Sequence, residues 1–199
     1  INDSRFQIVP HDLDTVFSVG GPINTSIFNY SGVFGLNKIL SNGDFLPLYY
    51  QAYIDLIGNV FNHTVLDPVI DRAVGSFVSA PTVAAFKQFI TDRTAAVLAQ
   101  IPRSFSVASG LPVQNGFPRT ANASTALGGQ GDVVTTRSIL VNGQLASWNA
   151  RTGAWSIAAV PLNAGLNRVV VEAFDGPSGT GKLVNSTFID VWRDSGTVV

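Results

Sequence analysis

The chain has 199 residues, with 12 Lys and Arg against 13 Asp and Glu, a formal net charge of −1. The basic residues are scattered, so no patch exists to neutralise a run of nucleic-acid phosphates, and the absence of cysteine excludes disulfides, a thiolate-ligated zinc and a thiol nucleophile. Charged residues are only 13% and the mean hydropathy is +0.27, yet no apolar run is long enough to span a bilayer. This combination predicts a soluble protein whose surface is unusually rich in apolar, amide and hydroxyl groups, part of it covered by a partner.

The sequence opens at Ile1 and contains no Met, which predicts a processed or truncated product whose export signal, if any, has been removed. Arg5–Val9 alternates in polarity and ends at Pro10, reading as a short strand that feeds the polar turn His11, Asp12, Leu13, Asp14. A Gly- and Asn-rich loop runs from Gly20 to about Ser31. From Phe45 the apolar residues recur in pairs through Val60 and Phe61, in steps of three and four, the broad face of an amphipathic helix with Asp44 as its N-cap. A second helix is predicted from Thr64, with Asp67 completing a capping box and Val65, Leu66, Val69, Ile70, Ala73, Val74 and Phe77 as its stripe. Pro68 is tolerated near the first turn. A third helix follows Ser79, Ala80 and Pro81, with Val83, Phe86, Ile90, Val97 and Ile101 on one stripe. Short connections predict a compact antiparallel three-helix bundle.

Beyond Ile101 and Pro102 the pattern changes. Gly110–Gly131 reads as a linker or long loop. Val133–Val141 leads into Asn142-Gly143, a strong hairpin signal. Trp155–Val160 and Asn167–Phe174 flank the tight turn Asn163-Ala164-Gly165, and Lys182–Trp192 forms a last strand after the Gly-rich loop Gly176–Gly181. Five or six short strands at intervals near ten residues predict a sandwich of immunoglobulin type. The expected fold class is therefore α+β: a helical half with one short strand, then an all-β half.

The segment Arg5-Phe-Gln-Ile-Val-Pro-His-Asp-Leu-Asp14 resembles the Pro-Trp-Asp-x-Asp segment of CotH-type proteins, a family of secreted atypical kinases, with His11 where the family usually has Trp. The helical run from Asn37-Lys-Ile-Leu to Phe86-Lys-Gln-Phe-Ile-Thr-Asp-Arg93 is also similar, so the resemblance covers about residues 5 to 101. Ile139-Leu-Val-Asn-Gly143, Trp155, Pro161-Leu-Asn-Ala-Gly-Leu-Asn167 and Val171-Glu-Ala-Phe-Asp175 resemble the Ig-like modules appended to large bacterial exoproteins. The resemblance implies two domains: residues 1–103, the C-terminal, C-lobe-like part of a CotH-type kinase domain, and residues 104–199, a linker with an Ig-like β-sandwich. It places the nucleotide-gripping lysine and the catalytic-loop acid before Ile1. It also assigns Asp12 and Asp14 to Mg²⁺ that bridges the phosphates of ATP. Read as residues alone, the same two carboxylates are better explained as caps of a turn, since Asp bonds its own downstream amides, and only the resemblance brings the metal-binding role level with that.

The implied activity is that of an ATP- and Mg²⁺-dependent protein kinase only when the chain is completed by its missing N-terminal half or by another chain of the same precursor. The alternative is a non-catalytic extracellular adhesion or carbohydrate-binding protein with a glycan or protein surface as ligand. Asn-x-Ser/Thr triplets at Asn2, Asn24, Asn29, Asn62, Asn122 and Asn185 favour an extracellular or cell-surface location. His11 and His63 read as surface or packing residues. Arg93 falls on the third helix's apolar stripe, which predicts a carboxylate partner in Asp55 or Asp71. Gly128-Gly-Gln-Gly131 and Gly176–Gly181 lack the Lys-Ser/Thr of a phosphate-binding loop, and Ser109-Gly110 lacks the preceding glycine of a nucleophile elbow. Trp148, Trp155 and Trp192 are divided between core filling and a sugar-stacking platform.

Overall fold

The computed structural model describes residues 23–29 and 34–194. The expected strand at Arg5–Val9 and the acidic turn after it lie outside them. The described chain is mixed α+β: four helices, then ten strands in two sheets. It divides into two compact units, residues up to 29 with 53–100, and residues 30–52 with 101 onward, so the division falls inside one helix between Ala52 and Tyr53.

The three expected helices are present as α2 (Leu46–Asn59), α3 (His63–Val74) and α4 (Ala80–Leu98). A further short helix, α1 (Phe34–Leu40), precedes them. The turn before α2 is held by Asn42, whose side chain accepts the Asp44 N–H at 2.8 Å. The cap of α3 lies earlier than the sequence suggested. Asn62 is the N-cap, accepting the Val65 N–H, while Asp67 bonds the His63 ring instead of completing a capping box. Asn62 wins because its carboxamide also donates backward to the Ile57 and Gly58 carbonyls, closing the end of α2 and opening α3 with one side chain. Ser79 caps α4, with Pro81 in the first turn, where its missing N–H costs nothing.

In the helical unit α3 and α4 pack on one another, with Ile70, Ile90 and Val97 buried. Half of the α3 stripe stays outside: Val65 and Val69 are exposed, and Phe77, just past the helix, is 82% exposed.

In the second unit the strands are β1 (Ser106–Ala108), β2 (Val113–Gln114), β3 (Phe117–Thr120), β4 (Ser124–Gln130), β5 (Ser138–Val141), β6 (Gln144–Leu145), β7 (Ser147–Trp148), β8 (Ala154–Pro161), β9 (Gly165–Phe174) and β10 (Leu183–Arg193). One sheet has the order β1-β4-β8-β7, the other β2-β3-β10-β9-β5-β6. All neighbours are antiparallel except β3 and β10, which run parallel. The inward residues of both sheets share one core: Leu127, Trp155 and Val160 from the first, Ile139, Val141, Val169, Val171, Ala173 and Val191 from the second. α1 and the start of α2 belong to this unit, where the wholly buried Tyr50 donates its hydroxyl to the Arg151 carbonyl at 2.7 Å.

Two details correct the sequence reading, and a third extends it. Gly110–Gly131 holds β2, β3 and β4 instead of a linker. Val133–Arg137 is a turn, opened by Asp132 accepting the Val134 N–H at 2.8 Å, and the strand begins only at Ser138. The turn at Asn163–Gly165 joins β8 to β9 and so crosses from one sheet to the other. Asn167 holds it by accepting the Asn163 N–H and donating to the Asn163 carbonyl. The Asn142-Gly143 turn is as expected: both residues have positive φ, 47° and 78°, and join β5 to β6 in an antiparallel pair.

Ile139 is fully buried at the centre of the shared core, whereas Leu145 is 57% exposed on β6. Ile139→Ala is therefore expected to cost about 2–5 kcal/mol, and Leu145→Ala to stay within about 0.5 kcal/mol of the parent. Urea unfolding followed by fluorescence checks both, and equal midpoints for the two variants would refute the core assignment.

Candidate functional site

Asp12, Asp14 and His11 lie outside the described residues. Among the described residues no group of three or more His, Asp or Glu side chains is placed to hold a metal ion. His63 is engaged at both ring nitrogens, Nδ1 to Asp67 Oδ1 at 2.9 Å and Nε2 to Thr91 Oγ1 at 2.8 Å, so it ties α3 to α4.

Among the described residues Arg93 pairs with no carboxylate. Its Nη1 donates to the carbonyls of Ile23 and Thr25, each at 2.6 Å. Asp71 is taken by Lys87, 2.8 Å away, and that hydrogen bond raises the Lys87 pKa above its ordinary value. The helical period did place Arg93 on the apolar side of α4, but the partner is main chain that precedes α1. A small apolar cavity of about 120 Å³ lies beside it, lined by Tyr53, Leu56 and Ile57 of α2 and Val97 of α4.

The two glycine-rich stretches are structural. Gly129 lies in β4, where an added Cβ would collide with the Ser106 carbonyl of β1 and come within 2.9 Å of Trp155 Nε1. In Gly176–Gly181 the loop closes on itself. The buried Ser138 hydroxyl donates to the Gly176 carbonyl at 2.6 Å and accepts the Gly179 N–H at 2.8 Å, leaving that amide no role with a phosphate.

The three tryptophans separate. Trp155 is 3% exposed, and its indole N–H donates to the carbonyls of Ser106 and Gln130. Trp148 packs against the same core. Trp192 points the other way, because side chains alternate along β10 and its neighbour Val191 is wholly buried. Register then gathers a set of side chains on the outer face of the second sheet. Arg119 of β3 lies opposite Trp192, and Gln114 of β2 lies opposite Phe117. With Asn115 at the β2–β3 turn they line an open cleft of about 250 Å³. Arg119 sits over the Trp192 ring, 5.5 Å from its centroid, and is ion-paired with Asp194. Farther along the same face Arg168 lies 4.0 Å over the Phe188 ring and forks onto Asp190 with bonds of 2.9 and 2.8 Å. That fork holds the Asp190 carboxyl below, and the Arg168 guanidinium above, its ordinary pKa.

The sequence reading missed Arg119, Phe117, Gln114 and Asn115, because it treated the segment carrying them as linker. The signal available was Asn115-Gly116, a hairpin turn of the same kind as Asn142-Gly143. No family model matches the sequence, and no curated protein matches it at a significant level.

Two outcomes follow from this geometry. Arg93→Met keeps the stem and removes the donor that joins α4 to the Ile23 and Thr25 carbonyls, and is expected to cost about 1–3 kcal/mol. A melting temperature within error of the parent would mean that the guanidinium is solvated. Asp190 should titrate below the usual carboxylate range near pH 4 in an NMR pH series. Its pair contributes above the unfolded-state pKa and is lost as pH falls through the lower folded one. Arg168→Leu should return the midpoint to the ordinary range, and an unchanged midpoint would assign the shift elsewhere.

Proposed function

We propose that the chain is the C-terminal part of a secreted CotH-like protein, in which a kinase-like helical segment is completed by polypeptide from its own N-terminal half and is followed by an Ig-like β-sandwich. The observation that carries the first part is the half-bare stripe of α3. Val65, Val69 and Phe77 form an apolar surface that water disfavours and that a covering partner would bury, in a chain with few charges to solvate it. The Ig-like reading is supported by strand order. β1-β4-β8-β7 follows the ABED pattern and β10-β9-β5 the GFC pattern of immunoglobulin-type sandwiches. There is no cysteine pair, and the buried Trp155 stands on the strand in the E position instead of C.

On this reading the chain alone transfers no phosphate. Phosphoryl transfer needs metal-held phosphates, a cation on the transferring group and a positioned nucleophile in one preorganised site. Only Asp12 and Asp14 match that list, and they would hold Mg²⁺ and ATP weakly without the upstream residues. A second reading is favoured by the open cleft beside Trp192: a non-catalytic extracellular module that binds a glycan or protein surface.

The test compares ATP consumption by this chain alone with that of a chain extended upstream, and asks whether the upstream part binds the chain stably in native mass spectrometry. No turnover alone, with a stable complex, is expected. Turnover by the isolated chain that disappears in Asp14→Asn would show a complete site and sink the proposal.

A further inference from the structure

The cleft between the β2–β3 turn and the end of β10 has a composition that narrows its ligand. Its apolar part is a flat one: Phe117 is half-buried, and Trp192 is 36% exposed on an outward sheet face. Its polar part is mostly amide. Gln114 and Asn115 are exposed, and neither side chain bonds another described residue, so each offers a carbonyl acceptor and two N–H donors. Arg119, the cleft's cation, is already neutralised by Asp194 and oriented against the indole.

Each feature excludes a class. A phosphate or carboxylate ligand selects an uncompensated guanidinium, and this one has a carboxylate partner. A purely aliphatic ligand would strip water from two amides and give them nothing in return. A ligand with an apolar face and many hydroxyls satisfies both parts at once: its C–H face lies on the aromatic rings and its hydroxyls meet the amides. We infer that this cleft is a binding site for a neutral saccharide, with Trp192 and Phe117 as the stacking surface and Gln114, Asn115 and Arg119 as the hydroxyl-reading groups. The inference rests on the second functional reading and names the site and the ligand charge that the reading leaves open. A shallow cleft buries little area, so binding is weak and fast.

The test uses the full 199-residue chain, isotopically labelled, titrated with cellohexaose, xylohexaose, chitohexaose and maltohexaose, and with trigalacturonate as the acidic comparison. At least one neutral oligosaccharide at millimolar concentration is expected to shift the Trp192 indole N–H and the Gln114 and Asn115 side-chain amides in a proton–nitrogen spectrum. Trp192→Ala and Gln114→Ala, checked for unchanged core resonances, should each weaken that binding at least tenfold, while Leu145→Ala leaves it unaltered. Saccharide binding that survives both cleft variants would keep the glycan reading and overturn this site. No shift with any neutral sugar would overturn both. Binding of trigalacturonate alone would overturn the neutral specificity.

Discussion

Trp155 joins three strands of the first sheet from the inside. It lies on β8, its ring fills the shared core, and its N–H reaches the carbonyls of Ser106 on β1 and Gln130 on β4. An indole buried without a partner for that N–H would cost about 1–3 kcal/mol, so the strand positions and the ring orientation are set together. The same demand explains Gly129 of β4. Any side chain at Gly129 would stand where β1 and the indole must be. What resembles a ligand loop in the sequence is therefore the clearance needed for a large aromatic residue to sit between close strands.

The second sheet derives two functions from one periodicity. Val169, Val171, Ala173 and Val191 turn inward and are wholly buried. Alternate residues turn outward, and on β10 these include two aromatic rings, each with an arginine against it: Arg119 with Trp192, Arg168 with Phe188. Each arginine is in turn held by an aspartate, Asp194 and Asp190. This arrangement keeps large rings on a solvent-facing sheet without leaving a net charge beside them. A one-residue slip of β10 would exchange the two faces, bringing Trp192 into the core and Val191 out. The core and the cleft therefore depend on the same register.

The helices and the β5–β6 hairpin were legible because their signals are local. Repeats at three and four residues and an Asn-Gly pair need no knowledge of distant chain. The strands β2 to β4 were not. β4 reads Ser-Thr-Ala-Leu-Gly-Gly-Gln, and its inward residues are Thr125 and Leu127, so polar Thr125 hides the alternation and the glycines resemble a loop. The strand character of β4 comes from partners on β1 and β8, whereas β2 and β3 pair across Asn115-Gly116, a local signal that the linker reading overrode. Arg93 shows the same divide. Its place on α4 followed from the helical period, while its partners, two main-chain carbonyls about seventy residues earlier, carry no side-chain signature. The cleft residues were hidden for the reason that β2 and β3 were.

The two sheets end in very short strands. β1 has three residues, and β7, β2 and β6 have two each. A sheet edge is an array of unused amides and carbonyls that invites another copy to continue the ladder, and many proteins blunt it with lysines. With 13% charged residues this chain has few to spare. Brevity serves instead, since two residues offer too few hydrogen bonds to seed a continuing strand. Among the described residues each sheet thus offers another copy only a short ladder to continue, and lengthening β2 or β6 would enlarge that exposed edge.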